Sequence, residues 1–205
     1  SALFGLVKKG SRASVENEEI FSMSQYQIFY SGNRLDQSDL LAWDSVIYLA
    51  KLLNADTTLY SSMYRLLEEL GLATNGTNSK AVMTRLSRLQ NGKIKINQKK
   101  PNGRKSLYMG SLIDDVTLEE VTGNLAIRFN KKLLGIFGDG DYTFINSDTR
   151  QLLGQSQLAK WLFHFYSSHN NPIPFQVDFI RALCNSDMRL SDFRYRLREA
   201  FIPLY

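Results

Sequence analysis

Cysteine, histidine and proline are scarce in this chain of 205 residues, which contains one, two and four of them respectively. Because Cys184 is alone, the chain cannot form an internal disulfide or a cysteine-rich zinc site, and we expect a reducing cytosol. His164 and His169 form no His-x-His motif of the kind that a metal-dependent nickase needs, and neither has a plausible nucleophile partner. We therefore expect no catalytic residues, no metal and no enzyme activity.

The chain also lacks a phosphate-binding loop and a long apolar segment. Gly5 and Gly10 have Walker spacing, but Ser11 stands where the lysine would be, so we expect no nucleotide hydrolysis and no cofactor. The apolar run of residues 2–7 is too short for a signal peptide or a membrane span. The chain starts abruptly, which predicts a fragment whose upstream region has been lost.

Positive charge is concentrated in one stretch. The chain is 43% hydrophobic, which is typical of a globular protein, and its net charge of +5 is modest. Residues 85–105 contain no acidic residue and eight basic ones: Arg85, Arg88, Lys93, Lys95, Lys99, Lys100, Arg104 and Lys105. Clustered cations favour a polyphosphate partner, because each neutralised phosphate releases counterions.

An alternative interpretation of the stretch is a solvated hairpin whose lysines protect a sheet edge from aggregation. Eight cations without an acid exceed what edge protection needs, so we favour contact with nucleic acid. Lys80 and Thr84, one or two helical turns earlier, are predicted to share the surface of Arg85 and Arg88. Most of these side chains are expected to contact phosphates, because a lysine-rich hairpin positions DNA without reading its sequence.

Periodicity predicts the elements of the first half. Residues 25–30 alternate as a strand, Ser38 can cap a helix over 39–53, and Ser61 starts a helix that ends at Gly71. Asn78 or Ser79 is predicted to cap a third helix with Val82, Leu86 and Leu89 inward. A hairpin with an Asn102-Gly103 turn follows, then an acidic loop over 114–120 and a strand over 125–129. This order predicts a winged-helix domain whose wing is the basic hairpin.

The helical part of the module recurs in the second half, after a predicted linker over residues 135–140. Ser156 is predicted to cap a helix to about residue 167, and a short helix is predicted over residues 176–184. A last helix is predicted from Ser191 onward. The predicted inward residues are Leu158, Trp161, Leu162 and Phe165 in the first of these helices and Phe193, Leu197 and Phe201 in the last. The last helix carries, with the turn before it, the residues that we expect to read DNA bases: Arg189, Ser191, Arg194, Tyr195 and Arg198. Viewed alone, it is equally well a solvated amphipathic helix, but the helix-turn-helix context favours DNA, since arginine can bind guanine bidentately.

The fold class that follows is α+β, with two tandem winged-helix domains. Residues 1–20 are predicted to be an N-terminal arm, residues 21–137 the first domain and residues 138–205 the second. The chain stops before a second wing, so the second domain is expected to be truncated. We assign dimerisation and DNA backbone contacts to the first domain and DNA recognition to the second.

Collinear motifs resemble the TrfA-type plasmid replication initiators. They stand at residues 1–4, 30–32, 86–90, 137–143, 165–169, 184–187 and 198–200, together with Leu35, Trp43, Pro172 and Pro174. No single motif is specific, but their shared order covers nearly the whole chain.

The resemblance implies a bacterial cytoplasmic protein that binds iteron repeats in double-stranded plasmid origin DNA. It also implies opening of an adjacent AT-rich region, with single-stranded DNA as a partner, and recruitment of the host replicative helicase and its loader. Members of the family work without their own ATPase and form homodimers, here expected through the strand over 25–30 or the nearby hairpin. By position, the final helix corresponds to the recognition helix of the second domain.

A competing hypothesis is a winged-helix transcriptional regulator that binds an operator without melting an origin. Fold alone does not separate the two functions. Binding to tandem direct repeats with duplex opening indicates initiation, whereas binding to a palindrome without opening indicates regulation. A nickase, the third class, would need a metal triad and a nucleophilic tyrosine.

Overall fold

The computed structural model describes residues 3–7, 12–20, 26–99, 105–132, 150, 152–168 and 174–204. Two separate clusters of buried hydrophobic side chains lie within them. The first cluster is built from residues between Phe4 and Phe129, and the second from residues between Leu153 and Ala200. We call the parts of the chain around them the first unit and the second unit.

The first unit contains nine strands and three helices among the described residues. The strands are β1 (Phe4–Gly5), β2 (Ser14–Ile20), β3 (Tyr26–Asn33), β4 (Leu35–Asp36), β5 (Thr58–Ser62), β6 (Lys93–Lys99), β7 (Lys105–Gly110), β8 (Ile113–Leu118) and β9 (Asn124–Phe129). The helices are α1 (Gln37–Leu52), α2 (Met63–Glu69) and α3 (Gly76–Asn91). The second unit contains α4 (Gln157–Ser167), α5 (Val177–Leu183), α6 (Leu190–Phe201) and a 3-10 helix (Ile202–Leu204).

Capping side chains set the helix starts earlier than the sequence indicated. The Asp36 carboxylate accepts hydrogen bonds from the backbone N–H groups of Ser38 and Asp39, so α1 begins at Gln37 and the predicted cap at Ser38 is wrong. Asn75 caps α3 by accepting from the Asn78 N–H at 2.8 Å, so the predicted cap at Asn78 or Ser79 is also wrong.

The other two predicted caps differ in outcome. Ser62, one residue after the predicted Ser61, caps α2 by accepting from the Arg65 N–H. Ser156 caps α4 as predicted.

The basic hairpin does not belong to the sheet that packs against the helices. Strands β5, β9 and β8 form a three-stranded sheet in that order, while β2, β3, β6 and β7 form a separate four-stranded sheet. In the order α1-β5-α2-α3-β8-β9, which is that of a winged helix, the wing is the β8–β9 turn. The prediction that the hairpin is the wing is therefore wrong.

The physical reason is the burial pattern of the hairpin. Ile94 and Ile96 of β6 are buried and lie opposite Tyr30 and Ile28 of β3, so the hairpin covers the first core from the β3 side. The chain then crosses to the other sheet at Ser111 and Leu112, which are both buried. Most of the acidic stretch predicted as a loop is strand β8.

Inward-facing residues of the helices were largely predicted correctly. Val82, Leu86 and Leu89 of α3 are buried, as are all four residues assigned to the core side of α4: Leu158, Trp161, Leu162 and Phe165. In α6, Phe193 and Leu197 are buried and Phe201 is half-buried. Residues 14–20, which the sequence placed in an arm, form a strand that pairs with β3.

A buried carboxylate joins three parts of the first unit. Asp39 of α1 has no exposed surface. One carboxylate oxygen accepts from Arg88 of α3 at 2.6 Å, and the other accepts from Arg12, before β2, at 3.0 Å. Burial raises the pKa of Asp39, an effect that the Arg88 guanidinium opposes. Two opposite charges and the Asp36 N–H at 3.0 Å thus compensate the desolvated carboxylate.

We expect Asp39→Ala to lower the free energy of unfolding by about 3–5 kcal/mol, because Arg12 and Arg88 would lose their buried partner. Urea unfolding monitored by circular dichroism measures this change. Asp56→Ala is the matched control, since Asp56 forms an exposed ion pair with Lys131 and should cost less than about 1 kcal/mol. Equal effects of the two substitutions would contradict the central position of Asp39.

A histidine and an aspartate face each other between the two units. The Nε2 atom of the buried His164 in α4 lies 3.9 Å from a carboxylate oxygen of Asp44 in α1. Burial and the nearby Arg150 guanidinium lower the pKa of His164 to about 3. Burial raises the pKa of Asp44 to about 7, although Arg150 opposes this. His164 is therefore neutral at physiological pH.

Acidification should destabilise the wild-type protein relative to His164→Leu. The comparison isolates His164, because the raised pKa of Asp44 acts in the opposite direction over the same pH range. The ordinary pKa of 6.5 exceeds the folded value of about 3, so the unfolded state binds the proton more readily. The contribution of neutral His164 is complete above pH 6.5 and falls by up to about 1.4 kcal/mol per pH unit below it. Urea titrations between pH 4 and 8 measure it, and identical pH slopes in the two proteins would contradict it.

Candidate nucleic-acid interface

Helix α3 presents a polar stripe to solvent. Its exposed side chains recur every three or four residues: Thr77, Lys80, Thr84, Ser87 and Asn91. The two residues predicted on this surface, Lys80 and Thr84, are both in the stripe, and the Thr84 hydroxyl donates to the Lys80 carbonyl at 2.9 Å. The stripe contains a single cation, so it offers hydrogen-bonding groups more than charge.

The Asp39 carboxylate affects both arginines of α3, and it binds one of them directly. Both Nε and Nη2 of Arg88 donate to one Asp39 oxygen, at 2.9 Å and 2.6 Å, and its side chain is 16% exposed. Burial lowers the pKa of Arg85, which the carboxylates of Asp39 and Asp36 partly offset. The expectation that Arg88 is a free surface cation is wrong, because its guanidinium is the internal partner of a buried acid. A DNA contact at either arginine stays a prediction.

The hairpin places cations beside exposed apolar groups. Lys93 is exposed, and the Nζ atom of Lys95 lies 5.3 Å from the ring centroid of Phe29 on the neighbouring strand. Leu107 and Met109 on β7 are 60% and 69% exposed. The hairpin tip carries four predicted DNA-contacting residues: Lys99, Lys100, Arg104 and Lys105. Lys100 and Arg104 lie outside the described residues, and so do the side chains of Lys99 and Lys105. The backbones of Lys99 and Lys105 are paired, which fixes the register of the hairpin.

The topological wing is acidic. The turn over residues 119–123 joins β8 to β9 and contains Glu119 and Glu120 without a cation. The Glu119 carboxylate accepts from the Thr122 hydroxyl at 2.6 Å and from the Asn124 amide at 3.3 Å, and Gly123 has a φ of +72°. In the first unit, the basic hairpin therefore carries cations, whereas the β8–β9 turn carries carboxylates.

Helices α5 and α6 of the second unit form a helix-turn-helix. The Arg181 guanidinium donates to the Met188 carbonyl at 3.0 Å, and Asn185 adopts a left-handed φ of 53° in the turn. These contacts position the start of α6. Arg189 precedes the helix as its cap residue and is exposed, without a side-chain capping bond.

Helix α6 brings the predicted recognition residues together on its solvent side. Ser191, Arg194, Tyr195 and Arg198 are all exposed, opposite the buried Phe193, Leu197 and Ala200. Tyr195 is 62% exposed. Two arginines one turn apart, with a phenol between them, can reach a groove of DNA together.

Sequence reasoning missed two residues of this surface. Arg196 is exposed, and its Nη1 atom lies 3.3 Å from the Glu199 carboxylate. A hydrogen bond to the same carboxylate raises the pKa of Tyr195. The spacings i,i+3 and i,i+4 were the available signal. Glu199 thus places a competing acceptor inside the basic surface, and a DNA contact through Tyr195 must replace that hydrogen bond.

The described ranges contain neither a candidate metal centre nor a candidate membrane span. No group of three or more His, Cys, Asp or Glu side chains there is arranged to hold a metal ion. Among the helices of the same ranges, none has the length and hydrophobicity to cross a bilayer.

Comparisons with known proteins agree on one family. The family model described as "TrfA protein" matches residues 1–203. The plasmid replication initiator protein TrfA of Escherichia coli is 26% identical over 197 residues, which are 94% of this chain and 51% of that protein. The chain therefore spans about half the length of this curated relative.

Solved structures show a shared fold at low sequence identity. A crystal structure of selenomethionine derivatives of domains 2 and 3 of RctB matches with a TM-score of 0.71 at 12% identity, covering 96% of this chain and 81% of that one. A second structure of RctB domains 2–3 matches with a TM-score of 0.65 at 11% identity, covering 96% and 80%. At such identities the likeness concerns the fold alone.

Lys80 and Arg88 should have separable effects. Lys80→Ala should change the free energy of unfolding by less than about 0.5 kcal/mol, because the side chain is exposed. If Lys80 contacts a phosphate, the same substitution should reduce the salt slope of duplex DNA binding by about 0.9. Arg88→Ala should destabilise the protein by about 3 kcal/mol, since it leaves a buried carboxylate with one fewer partner.

Urea unfolding and fluorescence anisotropy at several salt concentrations measure the two effects. If the Lys80 variant has an unchanged salt slope, the assignment of α3 to the DNA interface is wrong. A stable Arg88 variant would contradict the internal role of that guanidinium.

Proposed function

The chain belongs to the TrfA protein family of plasmid replication initiators, and from this we propose that it initiates plasmid replication by binding double-stranded origin DNA sequence-specifically. The observation that carries the proposal is the exposed basic surface of α6, which is the second helix of a helix-turn-helix whose turn is held by Arg181. Arginine side chains can bind guanine bidentately at O6 and N7 in the major groove. Arg194 and Arg198 are the principal base-reading residues in this proposal.

The first unit contributes contacts to the DNA backbone in this proposal. The hairpin carries most of the cations of residues 85–105, and the α3 stripe supplies hydroxyl and amide groups and Lys80. Such contacts fix the register of a protein on the duplex and depend strongly on salt. The acidic wing disfavours a second duplex on its side of the unit, so binding is oriented.

The proposal extends to the nature of the DNA sites and to the steps that follow DNA binding. We propose that the DNA sites are iteron repeats, that binding deforms and opens an adjacent AT-rich region, and that the protein contacts single-stranded DNA there. We further propose recruitment of the host replicative helicase and its loader, and no enzymatic activity of the protein itself. The resemblance of the collinear motifs supports these steps.

The sheet topology favours one of the two expected contacts of a homodimer. Strand β3, one of the two expected dimer contacts, is paired on both sides, with β2 and with β6. Its backbone groups are used within the sheet. Strand β7 of the hairpin, the other expected contact, is an edge of the four-stranded sheet and carries the exposed Leu107 and Met109. We therefore place the dimer contact at β7.

Two tandem winged-helix domains are the architecture that we propose. The first unit supports it by its element order and by the strand order β5-β9-β8. The second unit supports it by three helices, α4 to α6, which correspond to α1 to α3. The match to domains 2 and 3 of RctB extends over both units.

The test of the function is selection of bound duplexes from a randomised pool, followed by affinity measurements on the selected site. Arg194→Ala with Arg198→Ala should cost about 1–3 kcal/mol per lost base contact and relax the sequence preference. Arg65→Ala with Arg128→Ala is the matched control, because these exposed arginines lie on α2 and β9. The control should keep the sequence preference.

Wild-type affinity and preference in the Arg194/Arg198 variant would refute the role of α6. The form of the selected sites separates the alternative function. Tandem direct repeats with permanganate-reactive thymines in supercoiled DNA indicate initiation. A palindrome without reactive thymines indicates a transcriptional regulator.

A further inference from the structure

The short strand β1 lies between the two units and is bonded to both. Phe4 and Gly5 pair in parallel with Leu35 and Asp36 of β4 in the first unit. The Phe4 carbonyl accepts from the buried Gln37 side-chain amide at 2.7 Å. On the other side, the Leu6 N–H donates to the Cys184 carbonyl of the second unit at 2.8 Å. One extended segment thus makes backbone bonds to both units.

The side chains of the same segment are divided between the two cores. Phe4 is a buried member of the first hydrophobic cluster, and Leu3 packs against that cluster. Leu6 packs against the second cluster, which contains Trp161 and Phe193. The segment therefore contributes side chains to both cores within four residues.

Gly5 permits the close approach of the two units. A Cβ atom at this position would lie 2.9 Å from the Cys184 carbonyl oxygen and 3.1 Å from the Asn185 Cβ atom. The first neighbour is backbone, so it cannot move aside by a rotamer change. Any larger residue at position 5 must push the segment away from the second unit.

The contact point on the second unit is the turn of the helix-turn-helix. Cys184 caps the C-terminus of α5, Asn185 follows it in the turn, and α6 begins at Leu190. Asp187 of the same turn lies 3.8 Å from Arg34, which precedes β4. Across the interface, Arg150 donates to the Gln37 carbonyl at 2.8 Å, so the first turn of α1 is bonded both to β1 and to the second unit.

We propose that the segment Leu3–Val7 is a positioning strap that fixes the helix-turn-helix of the second unit against the first unit. The strap holds the turn before α6 through the Leu6 N–H and the space left by Gly5. Releasing it leaves both units folded but free to reorient. Its effect on DNA binding rests on the proposed function; its effect on coupling between the units does not.

The two tryptophans of the chain allow a direct test, because one lies in each unit. Trp43 packs against the first cluster and Trp161 is buried in the second. Trp161→Phe leaves fluorescence that reports the first unit, and Trp43→Phe leaves fluorescence that reports the second. Urea unfolding is followed in both single-tryptophan backgrounds, with and without a change in the strap.

Three substitutions define the test. Gly5→Val places bulk against the Cys184 carbonyl, and Leu6→Pro removes the N–H donor. Gly76→Val is the matched control, because a Cβ atom at Gly76 meets no atom within 4 Å.

In the parent and the control, the two tryptophans should report the same urea midpoint. In Gly5→Val and Leu6→Pro, the midpoints should separate by roughly 0.5 M urea or more, because the units no longer stabilise each other. Small-angle scattering should show a larger radius of gyration for these two variants.

Coincident midpoints and unchanged scattering in both strap variants would overturn the proposal, as would midpoints already separated to the same extent in the parent. Complete loss of folding at both tryptophans in both variants would also overturn it, because the segment would then be part of one common core.

The DNA affinity of the strap variants is measured separately from their unfolding. On the duplex selected by the parent protein, the strap variants should lose about tenfold in affinity, as expected when two linked contact surfaces lose their fixed geometry. If the Arg194/Arg198 variant keeps its sequence preference, the proposed function fails while the unfolding result stands. If the strap variants uncouple the units without losing affinity, the strap stands and its role in DNA binding fails.

Discussion

The buried carboxylate of Asp39 is the constraint on which the rest of the molecule depends. A desolvated charge is tolerated only where opposite charges and hydrogen-bond donors surround it, and here Arg88, Arg12 and the Asp36 N–H do so. These partners come from α3, from the segment before β2 and from the residue that caps α1. The same first turn of α1 supplies Gln37, whose side chain binds β1 and whose carbonyl accepts from Arg150. The orientation of α3 and the attachment of the second unit therefore share one anchor.

This anchor changes the electrostatics of the candidate interface. It withdraws Arg88 from the surface, and the Asp39 and Asp36 carboxylates partly offset the effect of burial on the pKa of Arg85. Helix α3 therefore keeps a polar stripe with Lys80 as its cation. Free positive charge lies instead on the hairpin and on α6, on different units. Binding that uses both surfaces requires the units to hold a fixed orientation, which is what the contacts of β1, Arg34 and Arg150 provide. In the proposed function, the junction therefore links stability to the geometry of DNA binding.

Local sequence patterns were sufficient to predict the helices and the residues on the exposed side of α6. The spacing of Phe193, Leu197 and Phe201 fixed which side of α6 faces inward, and Arg194 and Arg198 followed on the opposite side. The caps of α1, α2 and α3 were missed because several Ser, Asn and Asp residues near each helix start are comparable in propensity. The hairpin was assigned to the wrong sheet because β7 and β8 are separated by two residues, and a period of two does not reveal which partner strand each one chooses.

The sequence by itself determined the charge clustering, the order of helices and strands, and the family, since these depend on composition, periodicity and motif order along the chain. The tertiary structure decided which cations are free. Arg88 and Arg198 are alike in the sequence, but one meets a carboxylate that is distant in the sequence and the other faces solvent. It also decided that Gly5 and Leu6 join two units. Both outcomes arise from contacts between distant segments, and local periodicity carries no information about them.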